Sequence, residues 1–268
     1  MTDRYAVIGN PIAHSRSPQI HAAFARQTGQ DLRYDTLLGR DFRADVQSFF
    51  QQGGKGLNVT LPFKEDAYRL VDELSPEAQS AKAVNTLIPL ANGCLRGENT
   101  DGIGLVRDLQ RHDVDLADRR ILLLGAGGAA RGILRPLLEQ RPAILVIANR
   151  TPEKALGLAA ELAGFGPVSA SGFGDIEAGF DLIINATSAG IADQMLAVPA
   201  QALATGGVCY DLMYARQATA FMRWGAGLGA AMVLDGLGML VEQAAEAFYL
   251  WRGLRPDTLP VLELLKSS

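Results

Sequence analysis

Short apolar runs alternate along the chain with stretches in which apolar residues recur every three or four positions, the pattern of buried strands joined by amphipathic helices. The first half predicts strands over Tyr5 to Gly9, Leu32 to Leu38 and Gly56 to Val59, with helices over Pro18 to Gln27, Asp41 to Gln52 and about Lys64 to Leu74. The run "TLIPLANGCLRG" then offers two strands about Asn92-Gly93, a dipeptide suited to a tight hairpin, so the first sheet is expected to be mixed and mostly parallel. A second series opens with "RRILLLGAGGAARGILRPLLEQ", a strand, a glycine turn and a helix. It continues through the strand "AILVIANR", a helix from "TPEKALGLAAEL", and strands in "DLIINAT" and "GGVCYDLMY". Near the end, "DGLGMLVEQAAEAFYLWRG" predicts a helix with Leu240, Ala244, Ala247 and Trp251 on one stripe and Gly253 as its stop.

This order predicts an α/β fold of two domains. The first, 1–101, is completed by C-terminal helices in 237–268, and the second spans 102–236. Composition fits a large buried core: 268 residues, 48% hydrophobic and 20% charged. A formal charge of −4 and the lack of any Lys or Arg block argue against nucleic acid as a partner. Apolar runs such as "ILLLGAGGAARGILRPLL" are cut by Arg131 and Arg135, and none reaches the ~20 residues of a membrane helix. The start, "MTDRYAVIGNP", has no signal-peptide pattern. Cys94 and Cys209 stand apart from each other and from His14, His21 and His112, so the expectation is a cytoplasmic protein without disulfide or metal.

The segment "GAGGAA", Gly125 to Ala130, fits Gly-x-Gly-x-x-Gly/Ala between a strand and a helix. There the backbone N–H groups of Gly125, Ala126, Gly127, Gly128 and Ala129 would face a pyrophosphate, which makes 102–236 a Rossmann-type dinucleotide domain. A NAD site usually ends the next strand with an acid; here Asn149 and Arg150 stand in its place, followed by Thr151 as N-cap and Pro152 at the first helical position. A cation beside a helix start attracts a 2'-phosphate, which implies NADP, against the alternative of a solvated arginine.

In "HSRSPQI", Ser17 before Pro18 reads as an N-cap pair and Ser15 adds a second hydroxyl. Such a corner suits a carboxylate, with a simple helix cap as the competing reading. His14 reads as a loop or packing residue. In "LNVTLPFKED", Asn58 and Thr60 share one face at the end of a strand, and Lys64 follows in the first turn of a helix. Asp101 in "GENTDGIG" closes another strand of the same sheet. Taken singly, Lys64 reads as a solvated lysine and Asp101 as an acid favoured by the helix dipole. Gln243 lies one turn after Leu240 on the apolar side of its helix, where an amide needs a partner.

Together "GNPIAHSRSP", "NVTLPFK", "AVNT", "GENTDG", "GAGGAARG", "NRT", "INAT" and "DGLGMLVEQAA" occur in an order and spacing that resembles the shikimate dehydrogenase family, from about Tyr5 to Leu265. The resemblance implies reversible, NADPH-dependent reduction of 3-dehydroshikimate to shikimate in aromatic amino-acid biosynthesis, by a monomer or homodimer. Lys64 and Asp101 match the catalytic pair. Ser15 and Ser17 match the carboxylate-binding serines, and Asn58, Thr60, Asn85, Asp101, Tyr214 and Gln243 match positions that hold the ring. Lys154, Thr187 and Leu212 extend the cofactor positions, with Gly236 and Met239 approaching the nicotinamide as backbone. Glu98 stands where the family pattern has Asp, and "ARQATAF" lacks a proline often found before Phe221. A quinate/shikimate dehydrogenase, often using NAD, and a non-catalytic NADP-binding sensor on the same fold are the rival readings.

Overall fold

A computed structural model describes residues 2–187, 197–215 and 217–267. The chain divides into two compact units, Met1–Gly104 with Leu240–Ser268, and Leu105–Met239.

The first unit is built on a six-stranded sheet in the order β2-β1-β3-β5-β6-β4. Its strands are β1 (Asp3–Gly9), β2 (Leu32–Leu38), β3 (Gly54–Val59), β4 (Glu73–Leu74), β5 (Thr86–Pro89) and β6 (Leu95–Glu98). β1 runs parallel to β2 and β3, while β5 is antiparallel to both β3 and β6, so the sheet is mixed. The hairpin at Asn92-Gly93 forms as a wider loop closed by Leu90 N–H to Cys94 O (2.9 Å), with Gly93 at φ 85°. Helices α1 (Ser17–Thr28), α2 (Phe42–Gln51) and α3 (Lys64–Leu70) connect the early strands.

Alternation along β1 sends Ala6 and Ile8 to one face, with Val46, Leu57 and Leu87, and Tyr5 and Val7 to the other, with Tyr34. The second face carries an aromatic stack. His21 of α1 lies parallel on Tyr34 at 4.1 Å, and Phe248 and Trp251 of the late helix α9 (Leu237–Arg252) complete it.

The predicted helix from Lys64 ends four residues early. Val71 is extended (ψ 152°), Glu73–Leu74 pairs with Arg96 and Gly97, and Ser75 caps α4 (Pro76–Ala81) by accepting from Ala78 N–H at 3.1 Å. The Ser-Pro step is a helix start in its own right, and it overrides continuation of the earlier pattern.

The second unit holds a sheet of six parallel strands, in the order β12-β11-β10-β7-β8-β9. These are β7 (Arg120–Leu124), β8 (Ile144–Asn149), β9 (Val168–Gly172), β10 (Phe180–Asn185), β11 (Leu203–Asp211) and β12 (Met232–Leu234). Helices α6 (Gly128–Glu139) and α7 (Pro152–Leu162) bury Ile133, Leu137 and Leu158 against Ile121, Leu123, Leu145 and Ile147. On the opposite face Leu122, Leu124, Ile183 and Cys209 pack with Phe221 of α8 (Ala220–Gly227). The chain lays β8 and β9 on one side of β7 and then returns to lay β10, β11 and β12 on the other. That reversal leaves a crevice beyond the carboxyl ends of β7 and β10, the place where open parallel sheets bind ligands.

Candidate active site

Lys64 is the first residue of α3, just after the strand that carries Asn58, and its carbonyl accepts from Val84 N–H at 2.9 Å. Asp101 begins helix α5 (Asp101–Arg111), where Asn99 fixes the turn by accepting from Asp101 N–H at 3.1 Å and donating to Ala83 O at 3.0 Å. The two side chains, 37 positions apart, meet: Lys64 Nζ donates to Asp101 Oδ2 at 2.6 Å. The other carboxylate oxygen accepts from Asn85 Nδ2 at 2.8 Å, and Asn85 Oδ1 in turn accepts from Thr100 N–H at 2.9 Å. The lysine side chain is 27% exposed and the aspartate 13%, so the ammonium keeps donors for an outside ligand while the carboxylate is fixed from behind.

Around this pair the first unit gathers further polar groups. Gln243 finds the partners its position requires: Nε2 donates to Leu240 O at 2.8 Å, and Oε1 accepts from the Thr100 hydroxyl at 3.3 Å. Asn58 is buried and commits both amide hydrogens, to Asn85 O (3.1 Å) and Thr86 Oγ1 (3.0 Å), while Oδ1 accepts from the Tyr34 phenol at 2.7 Å. It can therefore offer a ligand only the second lone pair of Oδ1. Thr60 is half-buried and its backbone N–H donates to Ile8 O at 2.9 Å, continuing the β1–β3 pairing past the strand end.

The expected capping role of Ser17 is corrected. The N-cap is Arg16, already in helical conformation and without a side-chain cap bond, so Ser17 is the first helical residue. Ser15 Oγ accepts from Ser17 N–H at 3.3 Å, which leaves the Ser17 hydroxyl unused as a cap. Arg16, between them, donates to Leu265 O at 2.9 Å and ties this corner to α10 (Leu259–Lys266). Tyr34 carries no sequence signal as a site residue. Burial pushes its phenol well above the ordinary range, and the Ser17 hydroxyl facing its oxygen opposes that shift. His14 is exposed. Glu98, in place of the expected Asp, is buried and held by Arg96 at 2.7 Å.

In the second unit, Gly125 closes β7 at φ 106°, a conformation that favours glycine, and an added Cβ would sit 3.2 Å from Ala186 O. Gly127 and Gly128 face open space, and Gly127 is an N-cap with no side chain to occupy the first N–H groups of α6. Such a turn fits a pyrophosphate. At the end of β8, Asn149 Nδ2 donates to Thr151 O at 2.9 Å, which orders the turn. Arg150, Thr151 and Lys154 are exposed together at the start of α7, where Thr151 is the N-cap but makes no side-chain cap bond. Arg150 has no side-chain partner among the described residues. Two cations and uncapped helix N–H groups fit a dianionic 2'-phosphate. Beyond β10, Thr187 donates both N–H (3.1 Å) and O–H (2.7 Å) to Asn185 Oδ1. Leu212 follows β11, its carbonyl against Gly236, and Met239 packs on the α6/α7 core. Tyr214 is 38% exposed. Among the described residues, no group of three or more His, Cys, Asp and Glu side chains is placed to hold a metal ion.

Comparison with known proteins finds shikimate dehydrogenase family models along the chain. Residues 7–87 match the shikimate dehydrogenase substrate binding domain, 108–195 match shikimate / quinate 5-dehydrogenase, and 236–266 match the shikimate 5'-dehydrogenase C-terminal domain. A shikimate dehydrogenase (NADP(+)) of Cellvibrio japonicus is 52% identical over 99% of this chain and 98% of its own. Among solved structures, an Ael1 enzyme from Pseudomonas putida superposes with a TM-score of 0.94 at 47% identity, covering 98% of each chain. Shikimate 5-dehydrogenase from Thermus thermophilus, in complex with NADP(H) and shikimate, gives 0.89 at 35% identity over 99% of each.

Proposed function

The chain belongs to the shikimate dehydrogenase family, and from that premise we propose that it interconverts 3-dehydroshikimate and shikimate with NADP as cofactor and Lys64 and Asp101 as its acid–base pair. The observation that carries the reading is the Lys64–Asp101 contact of 2.6 Å, backed by Asn85 just before β5. When bound, NADPH supplies a hydride to the carbonyl carbon of the substrate. The ketone oxygen gains negative charge as that carbon is reduced, and Lys64 Nζ stabilises it and delivers the proton that makes the hydroxyl. Asp101 holds the ammonium in line and accepts from a substrate hydroxyl, while Asn85 keeps the carboxylate from turning. In the oxidative direction the neutral amine takes the proton back. The two groups share one proton-transfer task through their direct contact.

Ser15 and Ser17 present hydroxyls for the substrate carboxylate, and Thr60, Gln243, Tyr214 and the remaining lone pair of Asn58 serve the ring. Ser15→Ala and Ser17→Ala are expected to weaken shikimate binding by about 0.5–3 kcal/mol each and to spare an analogue without the carboxylate. Titration of both ligands checks this, and equal losses would return the serines to a purely structural role.

The adenosine end of the cofactor is assigned to Asn149, Arg150, Thr151 and Lys154, and its pyrophosphate to Gly125 through Ala129. Arg150→Ala is expected to raise the KM for NADP roughly 10- to 150-fold, the worth of a charge-assisted hydrogen bond, and to leave NAD almost unchanged. A variant whose NADP preference is intact would remove Arg150 from the site.

On the same reading 1–101 with 237–268 binds substrate, 102–236 binds cofactor, and the protein works in the cytoplasm as a monomer or homodimer. No described helix is long and apolar enough to cross a membrane. Shikimate and quinate assayed against NADP and NAD test the whole proposal by the absorbance of the reduced cofactor. Turnover of quinate with NAD in preference to shikimate with NADP would overturn it.

A further inference from the structure

Asp108 is a buried carboxylate that the reaction does not use. It lies on α5 with 1% of its surface exposed, where an uncompensated charge is costly. Oδ2 accepts from the Tyr210 phenol at 2.6 Å, Oδ1 accepts from Arg111, and His112 Nε2 lies 3.9 Å away. Tyr210, on β11, is wholly buried; burial and then the Asp108 carboxylate push its phenol well above the ordinary range, so it remains a donor. The backbone N–H of Met239 faces the same phenol oxygen.

These groups converge on one short turn. A Cβ on Gly238 would lie 2.0 Å from Asp108 Oδ1, and a Cβ on Gly236 would lie 2.1 Å from Leu212 O. Gly236 N–H donates to Met213 O at 3.0 Å, and Leu237 N–H donates to Asp235 Oδ1 at 3.1 Å. Residues 236–239 are thus held against the end of β11 on one side and against the Asp108–Tyr210 pair on the other. The carboxylate also meets the positive end of α9.

Strand order says which part of a dinucleotide this turn would meet. Arg150 stands at the end of β8, and the glycine turn follows β7. With the 2'-phosphate at the first and the pyrophosphate over the second, the remaining half extends away from β8, over the ends of β10 and β11. Leu212 and Gly236 lie there. We propose that Asp108 and Tyr210 are positioning residues for the nicotinamide half of the cofactor, acting through the backbone of residues 236–239. The proposal rests on the NADP reading above.

Calorimetric titration of the full-length protein with NADP and with adenosine 2',5'-bisphosphate, which lacks the nicotinamide half, tests it. Tyr210→Phe keeps the buried ring but removes the link between the carboxylate and the Met239 amide. It should weaken NADP about tenfold and leave adenosine 2',5'-bisphosphate within about twofold. Asp108→Asn keeps an acceptor for the phenol and should show a smaller loss of the same NADP-selective kind. Should Tyr210→Phe not fold, Asp108→Asn decides by the same ratio, with a smaller NADP-selective loss supporting the proposal. Equal weakening of both ligands, or of neither, overturns the positioning role alone. A wild-type protein that binds neither ligand overturns the cofactor reading and this proposal with it.

Discussion

Lys64→Ala should fold normally, bind shikimate nearly as the wild type does, and lose roughly 10²–10⁴ in kcat, the usual worth of a positioned acid–base group. The fold should survive because the truncated side chain leaves Asp101 with its Asn85 partner and some contact with solvent. The loss falls on kcat because the ammonium matters most when charge develops on the ketone oxygen, and a ground-state ligand offers it only a neutral group. Asp101→Asn should behave similarly. The double variant should lose less than the product of the single losses, since each residue acts through the other. Rapid-quench or steady-state kinetics with both substrates decide the matter. A rise in KM at constant kcat, or strictly multiplicative losses, would break the pair.

Much of this site is legible in the sequence because its residues sit where local rules place them. A strand that buries Leu57 and Val59 turns Asn58 and Thr60 to one face, and strand ends in an open α/β sheet face the ligand edge. The glycine turn and the "NRT" segment follow the same logic. Ser17 reads as a cap because Ser-Pro is the usual helix start; the helix in fact begins one residue earlier, and only Arg16 in helical conformation reveals it. The strand Val168–Gly172 escapes the pattern because "VSASG" is short, small and polar in part, with little apolar signal of its own. Asp108 and Tyr210 are 102 positions apart, and no local pattern announces a buried acid that finds its donor across the fold. Tyr34 is hidden for a related reason. As an aromatic residue in a strand it reads as core, and its phenol acquires a role only once Ser17 and Asn58 are folded around it.

His21 carries the second large effect, on stability in acid. Its ring is buried on the stack with Tyr34, and among the described residues Nε2 makes no hydrogen bond of normal length. Burial lowers its pKa from 6.5 to about 3, opposed by the nearby Asn58 amide, whose hydrogens are bonded elsewhere. Between those values the unfolded chain binds a proton at this position and the folded chain does not, so stability rises with pH across the window and is lost as the pH falls through it. The full displacement corresponds to on the order of 5 kcal/mol, and a proton difference near one gives a slope of about 1.4 kcal/mol for each pH unit. His21→Phe keeps an aromatic ring on Tyr34 and removes the titration. From pH 6 to pH 4 the wild type should therefore lose about 2–3 kcal/mol more than His21→Phe in urea unfolding. Parallel pH profiles for the two proteins would show that the buried imidazole is not what makes the fold sensitive to acid.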